Sequence, residues 1–307
     1  MIPCISPIPL QPRRRPPVIP AATAQTVDAR EAAGENAPGA TIALMNVYDS
    51  DFAWPVDAQV AGLRIIQVLP KTTPPPNEPR VGVAQQTNAR AVLGTVPVES
   101  DGSAFFRAPP GKELYFQAID RRGLAIQSMR SGTYVHPGER LTCQGCHEPK
   151  RRPAPVGAKP LALLRDPSKI EPDVSGSNPF NYPRLVQPAL DRNCVGCHRE
   201  KGALDLRGAI DGQFTRSYQN LAKRYGFYFH SENGSIGRDG SRTTAGAFGA
   251  RAAPLLKYLD ERHYGVKLSD EDFHRITLWL DCNSEFLGAY EDAPAQRRGE
   301  VVEPSLE

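Results

Sequence analysis

The sequence contains no long hydrophobic run. No stretch of about 18 apolar residues occurs in its 307 residues, so no membrane-spanning helix is predicted. It also has no excess of charge of one sign, since 37 Lys and Arg residues face 34 Asp and Glu residues. This balance gives no reason to expect a nucleic-acid partner. Methionine is scarce, with only Met45 and Met129 beyond Met1, so few residues could bind a metal through a thioether sulfur.

A recognisable export signal is also missing. A secretory signal begins with basic residues and continues into an apolar segment. Here residues 1–10 contain three prolines, and the basic run Arg13–Arg15 follows them. Residues 1–40, which are rich in Pro, Ala and Arg, are instead predicted to form a disordered leader.

Cysteine is infrequent but occurs in a specific pattern. Four of the six cysteines lie in two Cys-x-x-Cys-His motifs, at 143–147 and 194–198. This spacing is typical of covalent c-type haem attachment, in which two thiols bind the porphyrin vinyl groups and the histidine binds the iron. We therefore predict two c-type haems. The predicted thioether residues are Cys143, Cys146, Cys194 and Cys197, and the predicted proximal iron ligands are His147 and His198.

Three other interpretations of the cysteines stay open. A structural zinc site usually has about 15–20 residues between its two cysteine pairs, whereas the whole of residues 147–193 separates the pairs here. A thioredoxin-like redox pair needs a βαβ context, which is not visible in the sequence. A disulfide within each pair is the third alternative. Only haem attachment explains the histidine after both pairs.

Covalent haem attachment takes place outside the cytoplasm, so the motifs predict a periplasmic or equivalent location. Combined with the missing export signal, this predicts that the chain is the C-terminal part of a longer exported protein, or that its start is misplaced.

The rest of the sequence changes from a β pattern to a helical one. Residues 41–135 contain short β-type runs separated by turns, which predicts a small antiparallel β-sandwich. Residues 136–171 are predicted to be a loop-rich segment that carries the first haem. Residues 172–290 are predicted to form an α-helical, cytochrome c-like domain with the second haem, and residues 291–307 a tail.

Helix signals support this division. Leu185, Val186 and Leu190 predict a short helix before the second motif. A second helix is predicted from Pro254 to Leu259. Ser269, followed by three acidic residues, predicts the N-cap of a third helix.

The ligand on the far side of each iron decides between electron transfer and binding of a small molecule. Both remaining methionines lie in predicted strands and are expected to pack in the core. His263 is our first choice for the second haem, because it follows one predicted helix and precedes another at a bend. His136, His230 and His274 are less favoured, and His274 is expected at the surface or behind a ligand. For the first haem, a far side of the iron without any protein ligand stays open as an alternative.

The chain resembles the hydrazine synthase alpha-subunit family over roughly residues 60–290. The matching segments are Val98–Phe105, Phe116–Asp120, Met129–Ser131, Pro137–Arg140, Cys143–Glu148, Val186–His198, Pro254–Leu256, His263, Val266–Leu268, Trp279–Asp281 and Gly288.

The resemblance implies a β-type middle domain, two c-type haems, and an N-terminal β-propeller that this chain lacks. It also implies His263 as the distal ligand of the second haem. In the enzyme of that family, a tyrosine just beyond the first motif holds the iron, while the motif histidine faces a zinc ion. Glu148, Pro149, Lys150 and Arg151 follow His147 here. The absence of a tyrosine favours ordinary binding of the iron by His147.

The leading functional prediction is an exported dihaem cytochrome that passes single electrons to an unidentified redox partner protein. The alternatives are a haem enzyme, hydrazine synthase-like or peroxidase-like, with an open first haem, and a structural zinc-binding module. For the enzyme, Glu148, His136 and Tyr134 are the acid, base or hydroxyl groups nearest the first motif in sequence.

Overall fold

The computed structural model describes residues 39–75, 78–84, 88–147, 157, 159–200, 204–229 and 243–305. Most of the predicted leader, the residues that follow His147, and His230 lie outside these ranges. Within them, two β-sheets come first and a helical part follows. The predicted order of sheets and helices is therefore confirmed.

Seven strands form the two larger sheets. They are β1 (Ala40–Leu44), β2 (Gly62–Val68), β3 (Arg90–Pro97), β4 (Ala104–Ala108), β5 (Leu114–Ile119), β6 (Ala125–Ser128) and β7 (Arg140–Cys143). One sheet has the order β4-β1-β7 and the other the order β3-β2-β5-β6. A short hairpin of β8 (Ile210–Asp211) and β9 (Phe214–Thr215) lies in the helical part.

The predicted sheet region needs two corrections. Strand β7 lies in the segment predicted to be mostly loop, and it pairs with β1 in parallel rather than antiparallel orientation. Local patterns do not indicate β7, because it has four residues and pairs with a strand about a hundred residues earlier. The other pairings within the two larger sheets are antiparallel, as predicted.

The helical part contains seven α-helices among the described residues. They are α1 (Tyr182–Leu185), α2 (Gln187–Asn193), α3 (Val195–Glu200), α4 (Arg216–Tyr225), α5 (Gly249–Ala252), α6 (Asp270–Asp281) and α7 (Ala293–Arg297). The predicted helix at Pro254 is a 3₁₀ helix, Pro254–Tyr258. Ser269 caps α6 as predicted, since its side chain accepts a hydrogen bond from the Asp272 backbone N–H. None of these helices combines the length and apolar character needed to cross a bilayer.

Two hydrophobic clusters make up most of the core. The first lies between the two sheets and includes Ile42, Ile65, Phe106 and Leu114. The second packs strand residues such as Ile66 and Val92 against the helices, with Tyr182, Tyr218, Trp279 and Phe286 near its centre. Strand β2 contributes to both clusters, which explains why it is buried along nearly its whole length. The division of the chain into domains at residue 172 stays a prediction.

Candidate haem-attachment sites

The second motif begins where one helix ends and continues through the next. Cys194 terminates α2, and its backbone N–H donates to the Leu190 carbonyl over 2.8 Å. Cys197 and His198 lie on α3, and the His198 N–H donates to the Cys194 carbonyl over 3.1 Å. The Cys194 side chain packs against the second hydrophobic cluster, whereas Cys197 is exposed. The motif therefore lies at the surface of the helical core with one thiol directed inward.

The orientation of the His198 ring is fixed by a backbone carbonyl. The distance between the His198 Nδ1 atom and the Leu204 carbonyl oxygen is 2.9 Å. Because a carbonyl can only accept, Nδ1 is the donor of this hydrogen bond. Metal-binding histidines are usually held in this way, with one ring nitrogen bonded to an acceptor and the other directed at the metal.

His263 lies close to His198. The centres of the two imidazole rings are 6.1 Å apart, and their planes are inclined by 44°. An iron–nitrogen bond is about 2 Å long, and the ring centre lies about 1 Å further, so two imidazoles on opposite sides of one iron have centres about 6 Å apart. The separation of His198 and His263 fits a shared iron.

A tight turn positions His263. The His263 N–H donates to the Asp260 carbonyl over 3.0 Å, and the Val266 N–H donates to the His263 carbonyl over 3.1 Å. Tyr264 and Gly265, which follow His263, both have positive φ angles, of 53° and 76°. The Tyr258 ring packs edge-on against the imidazole, with ring centres 5.3 Å apart. The turn and the Tyr258 ring thus hold the His263 imidazole close to His198.

The first motif is held by a different structure. Cys143 is the last residue of β7, and its carbonyl accepts a hydrogen bond of 2.9 Å from the Met45 N–H. The Cys146 N–H donates to the Asp49 carbonyl over 3.0 Å. A Cβ atom added to Gly145 would lie 2.0 Å from the same carbonyl oxygen, so this position has room only for glycine. The loop after β1 therefore shapes the first motif.

His147 contacts Asp51 in this loop through its ring and through its carbonyl, which accepts from the Asp51 N–H over 3.1 Å. Its Nδ1 atom lies 3.0 Å from the Asp51 Oδ1 atom, and its side chain is 54% exposed. A carboxylate can orient an imidazole and leave Nε2 for a metal, as the Leu204 carbonyl does at the second motif. His147 also has a positive φ of 64°, a conformation that non-glycine residues adopt infrequently.

A cavity of about 530 Å³ adjoins the first motif. This volume falls within the range of about 300–1,000 Å³ that is usual for ligand and cofactor sites. Its walls combine both sheets with the motif itself, and the side chains are mainly apolar, with Gln127 and Thr243 among the polar ones. The motif residues Cys143, Cys146 and His147 line it together with Phe52, Phe106, Phe116 and Met129.

The remaining histidines are not brought to either motif by the described structure. The His274 Nε2 atom lies 2.7 Å from the Asp173 Oδ1 atom, in agreement with the expected role away from the iron. His136 packs against the Tyr134 ring and does not line the cavity at the first motif. His230 and Glu148 lie outside the described residues.

The zinc and redox-pair interpretations find no support in the part of the chain that the structure describes. No group of three or more His, Cys, Asp or Glu residues there is arranged to hold a metal ion. The Cys143 and Cys194 side chains pack against different hydrophobic clusters. Burial raises the pKa of the Cys194 thiol to about 11, whereas reactive Cys-x-x-Cys thiols have lowered pKa values.

Sequence reasoning missed the residues that orient the rings of His147 and His198. Leu204 acts through its backbone carbonyl, which leaves no signal in residue type. Asp51 lies 96 positions before His147 and meets it only because β1 and β7 are paired. Neither contact could be found from local sequence patterns.

Comparison with known proteins agrees with the family resemblance. Residues 58–148 match the model of the hydrazine synthase alpha subunit middle domain. Hydrazine synthase subunit alpha from Kuenenia stuttgartiensis is 23% identical to this chain, and the match covers 43% of the chain and 24% of that subunit. The solved structure of Kuenenia stuttgartiensis hydrazine synthase matches with a TM-score of 0.57 at 19% identity, over 85% of this chain and 44% of that chain.

Residues 58–148 therefore resemble the hydrazine synthase alpha subunit middle domain, and the chain is a distant, partial relative of the Kuenenia subunit. It spans about a quarter of the length of that subunit. The structural match extends into the helical part, where it shows a shared fold.

Proposed function

We propose that this chain is an exported dihaem c-type cytochrome that transfers single electrons. The observation that carries the proposal is the neighbouring pair His198 and His263, with ring centres 6.1 Å apart, in the segment that follows Cys194 and Cys197. Two complete Cys-x-x-Cys-His motifs in one chain, in a relative of the hydrazine synthase alpha subunit, support it further.

The residues of the second site suit electron transfer. A haem bound there supplies a one-electron redox centre. His198 and His263 would together hold the iron of a haem bound there, which would leave no position for a substrate. Leu204, Leu256 and Leu268 pack, like Cys194, against the second cluster, so apolar side chains adjoin the motif. Two histidine ligands also favour a lower reduction potential than a His–Met pair.

Location and partner follow from the same chemistry. Because covalent haem attachment takes place outside the cytoplasm, we propose an extracytoplasmic location. A cytochrome that moves single electrons also needs a redox partner protein.

The first site supports a second candidate function, that of a haem enzyme with an open face. The cavity of about 530 Å³ beside Cys143 and Cys146 is the observation that favours it. Gln127 and Thr243 place polar groups in its wall, where they could orient a small polar molecule. Hydrazine synthase-like and peroxidase-like chemistry both fall in this class.

A spectroscopic experiment distinguishes these functions. The protein is produced with a haem-attachment system, and its reduced-minus-oxidised spectrum and its binding of carbon monoxide are measured. Electron transfer alone predicts two c-type haems, of which the second does not bind carbon monoxide. Rapid binding at the first haem supports the enzyme function for that site. A reduced protein without a c-type haem spectrum contradicts both.

A further inference from the structure

We propose that Asp272 is a positioning residue for the second haem. Asp272 connects the segment before Cys194 to the helix that follows the His263 turn. This inference rests on the proposed function, because it assumes that His198 and His263 bind one iron. Asp272 itself contacts neither histidine, so its role is indirect.

One side of the Asp272 carboxylate holds the end of α2. The Arg192 Nε atom lies 3.2 Å from the Asp272 Oδ2 atom, and a second guanidinium nitrogen bonds Oδ1. The Asn193 Nδ2 atom donates to Asp272 Oδ2 over 2.9 Å and to the Ala189 carbonyl over 2.8 Å. These are the two residues directly before Cys194, so the carboxylate fixes where the motif begins.

The other end of this connection is α6. Asp272 lies in the first turn of α6, and its backbone N–H donates to the Ser269 side chain over 3.1 Å. A negative charge is favourable at this end of a helix. The His263 turn leads directly into Ser269 through residues 264–268, and Leu268 packs against the second cluster. A fixed helix start therefore limits where the turn can lie.

The burial of Asp272 distinguishes this contact from an ordinary surface ion pair. Its side chain is only 7% exposed, although Arg192 is 54% exposed. Exposed ion pairs contribute little because water screens them, whereas a buried carboxylate with several donors holds a defined position. Asp272 therefore connects the two segments that carry the imidazoles of His198 and His263.

Loss of the Asp272 contacts is expected to weaken the binding of the haem iron by His263 more than it affects folding. Removing residues that orient metal ligands typically changes metal affinity or activity by about 10–100-fold. We expect Asp272→Asn to raise the rate at which carbon monoxide displaces His263 from the reduced second haem by about tenfold or more. The midpoint potential of that haem is expected to shift as well.

The test uses the full haem-loaded chain, with Asp270→Asn as the matched control. Asp270 is an acid in the same helical turn, but its side chain is exposed and forms no hydrogen bond with α2 among the described residues. Asp272→Glu serves as the conservative variant and is expected to restore part of the wild-type behaviour. Carbon monoxide binding rates and the potential of the second haem are measured for all three, with the spectrum of the first haem as the internal reference.

Faster carbon monoxide binding in Asp272→Asn alone, with an unchanged first haem, supports the proposal. Equal rates in Asp272→Asn and Asp270→Asn overturn it. If Asp272→Asn does not fold, Arg192→Gln provides the same comparison from the exposed side of the contact. A wild-type protein without two histidine ligands at the second haem refutes the proposed function instead, so the two failures are distinguishable.

Discussion

Arg64 and Asp281 form a fully buried ion pair, with 3.1 Å between the Arg64 Nη1 and Asp281 Oδ2 atoms, although they are 217 positions apart in the chain. Arg64 lies on β2 and Asp281 ends α6, so the pair joins the sheets to the helical part. Gln117 completes the contact, because its side chain accepts from Arg64 and donates to the Asp281 carbonyl.

Removal of one partner of this pair is expected to be strongly destabilising. Arg64→Met leaves the Asp281 carboxylate buried without its cation, which typically costs about 3–5 kcal/mol in free energy of unfolding. The double variant Arg64→Met/Asp281→Asn removes both charges and is expected to lose less than the sum of the two single variants. Chemical denaturation of the four proteins measures this. Strictly additive losses contradict an energetic coupling between the two residues.

The two motif glycines provide a matched pair of substitutions. Gly145→Ala places a Cβ atom 2.0 Å from the Asp49 carbonyl oxygen, whereas Gly196→Ala meets nothing within 4 Å. We expect Gly145→Ala to reduce haem attachment at the first motif, because the backbone there must shift. Gly196→Ala lies on α3 and is expected to leave attachment at the second motif unchanged. Mass measurement of the two haem peptides checks both expectations. Equal haem attachment in the two variants would contradict a steric constraint at Gly145.

His263 and His274 provide a second matched pair. His263→Ala is expected to open the second haem to cyanide or carbon monoxide, because it removes the imidazole that faces His198. His274→Ala removes a histidine that pairs with Asp173 instead, and is expected to leave ligand binding unchanged. A second haem that stays closed in His263→Ala excludes His263 as its ligand.

Asp173 is expected to contribute a pH-dependent part of the stability. Burial alone would raise the pKa of Asp173, but the hydrogen bond and charge of His274, together with Arg64, lower the pKa overall. An acid with a lowered pKa stabilises the fold above its unfolded pKa of about 3.9, and this contribution is lost as the pH falls through the folded value.

The free energy of unfolding of Asp173→Asn is compared with that of the wild type between about pH 6 and pH 3. The difference is expected to be largest at the upper end and to shrink below about pH 4. A difference in free energy of unfolding that grows as the pH falls would contradict a lowered pKa of Asp173. Asp270→Asn, at an exposed acid, is the control.

The sequence allowed the prediction of those parts of the structure that depend on local patterns. Strands β4 and β5 lie in the β-type region predicted at residues 41–135, and the Ser269 cap places the start of α6, because alternation and capping act over a few residues. The Cys-x-x-Cys-His spacing is also local. Strand β7 and the contact between Asp51 and His147 depend on pairing between distant segments, so they could not be predicted from local patterns.

Buried charge was the other feature that sequence patterns did not reveal. Arg64 lies in a strand where a charged residue would be expected on the solvent side, yet its side chain is fully buried. Its partner Asp281 lies at the other end of the chain. Such a pair becomes apparent only when both segments are placed together.

Peptide mass measurement of the mature protein, produced with a haem-attachment system, tests the central claim most directly. Our account predicts one haem on the peptide that contains Cys143 and Cys146, and one on the peptide that contains Cys194 and Cys197. Unmodified thiols at all four cysteines in protein matured in this way would contradict it.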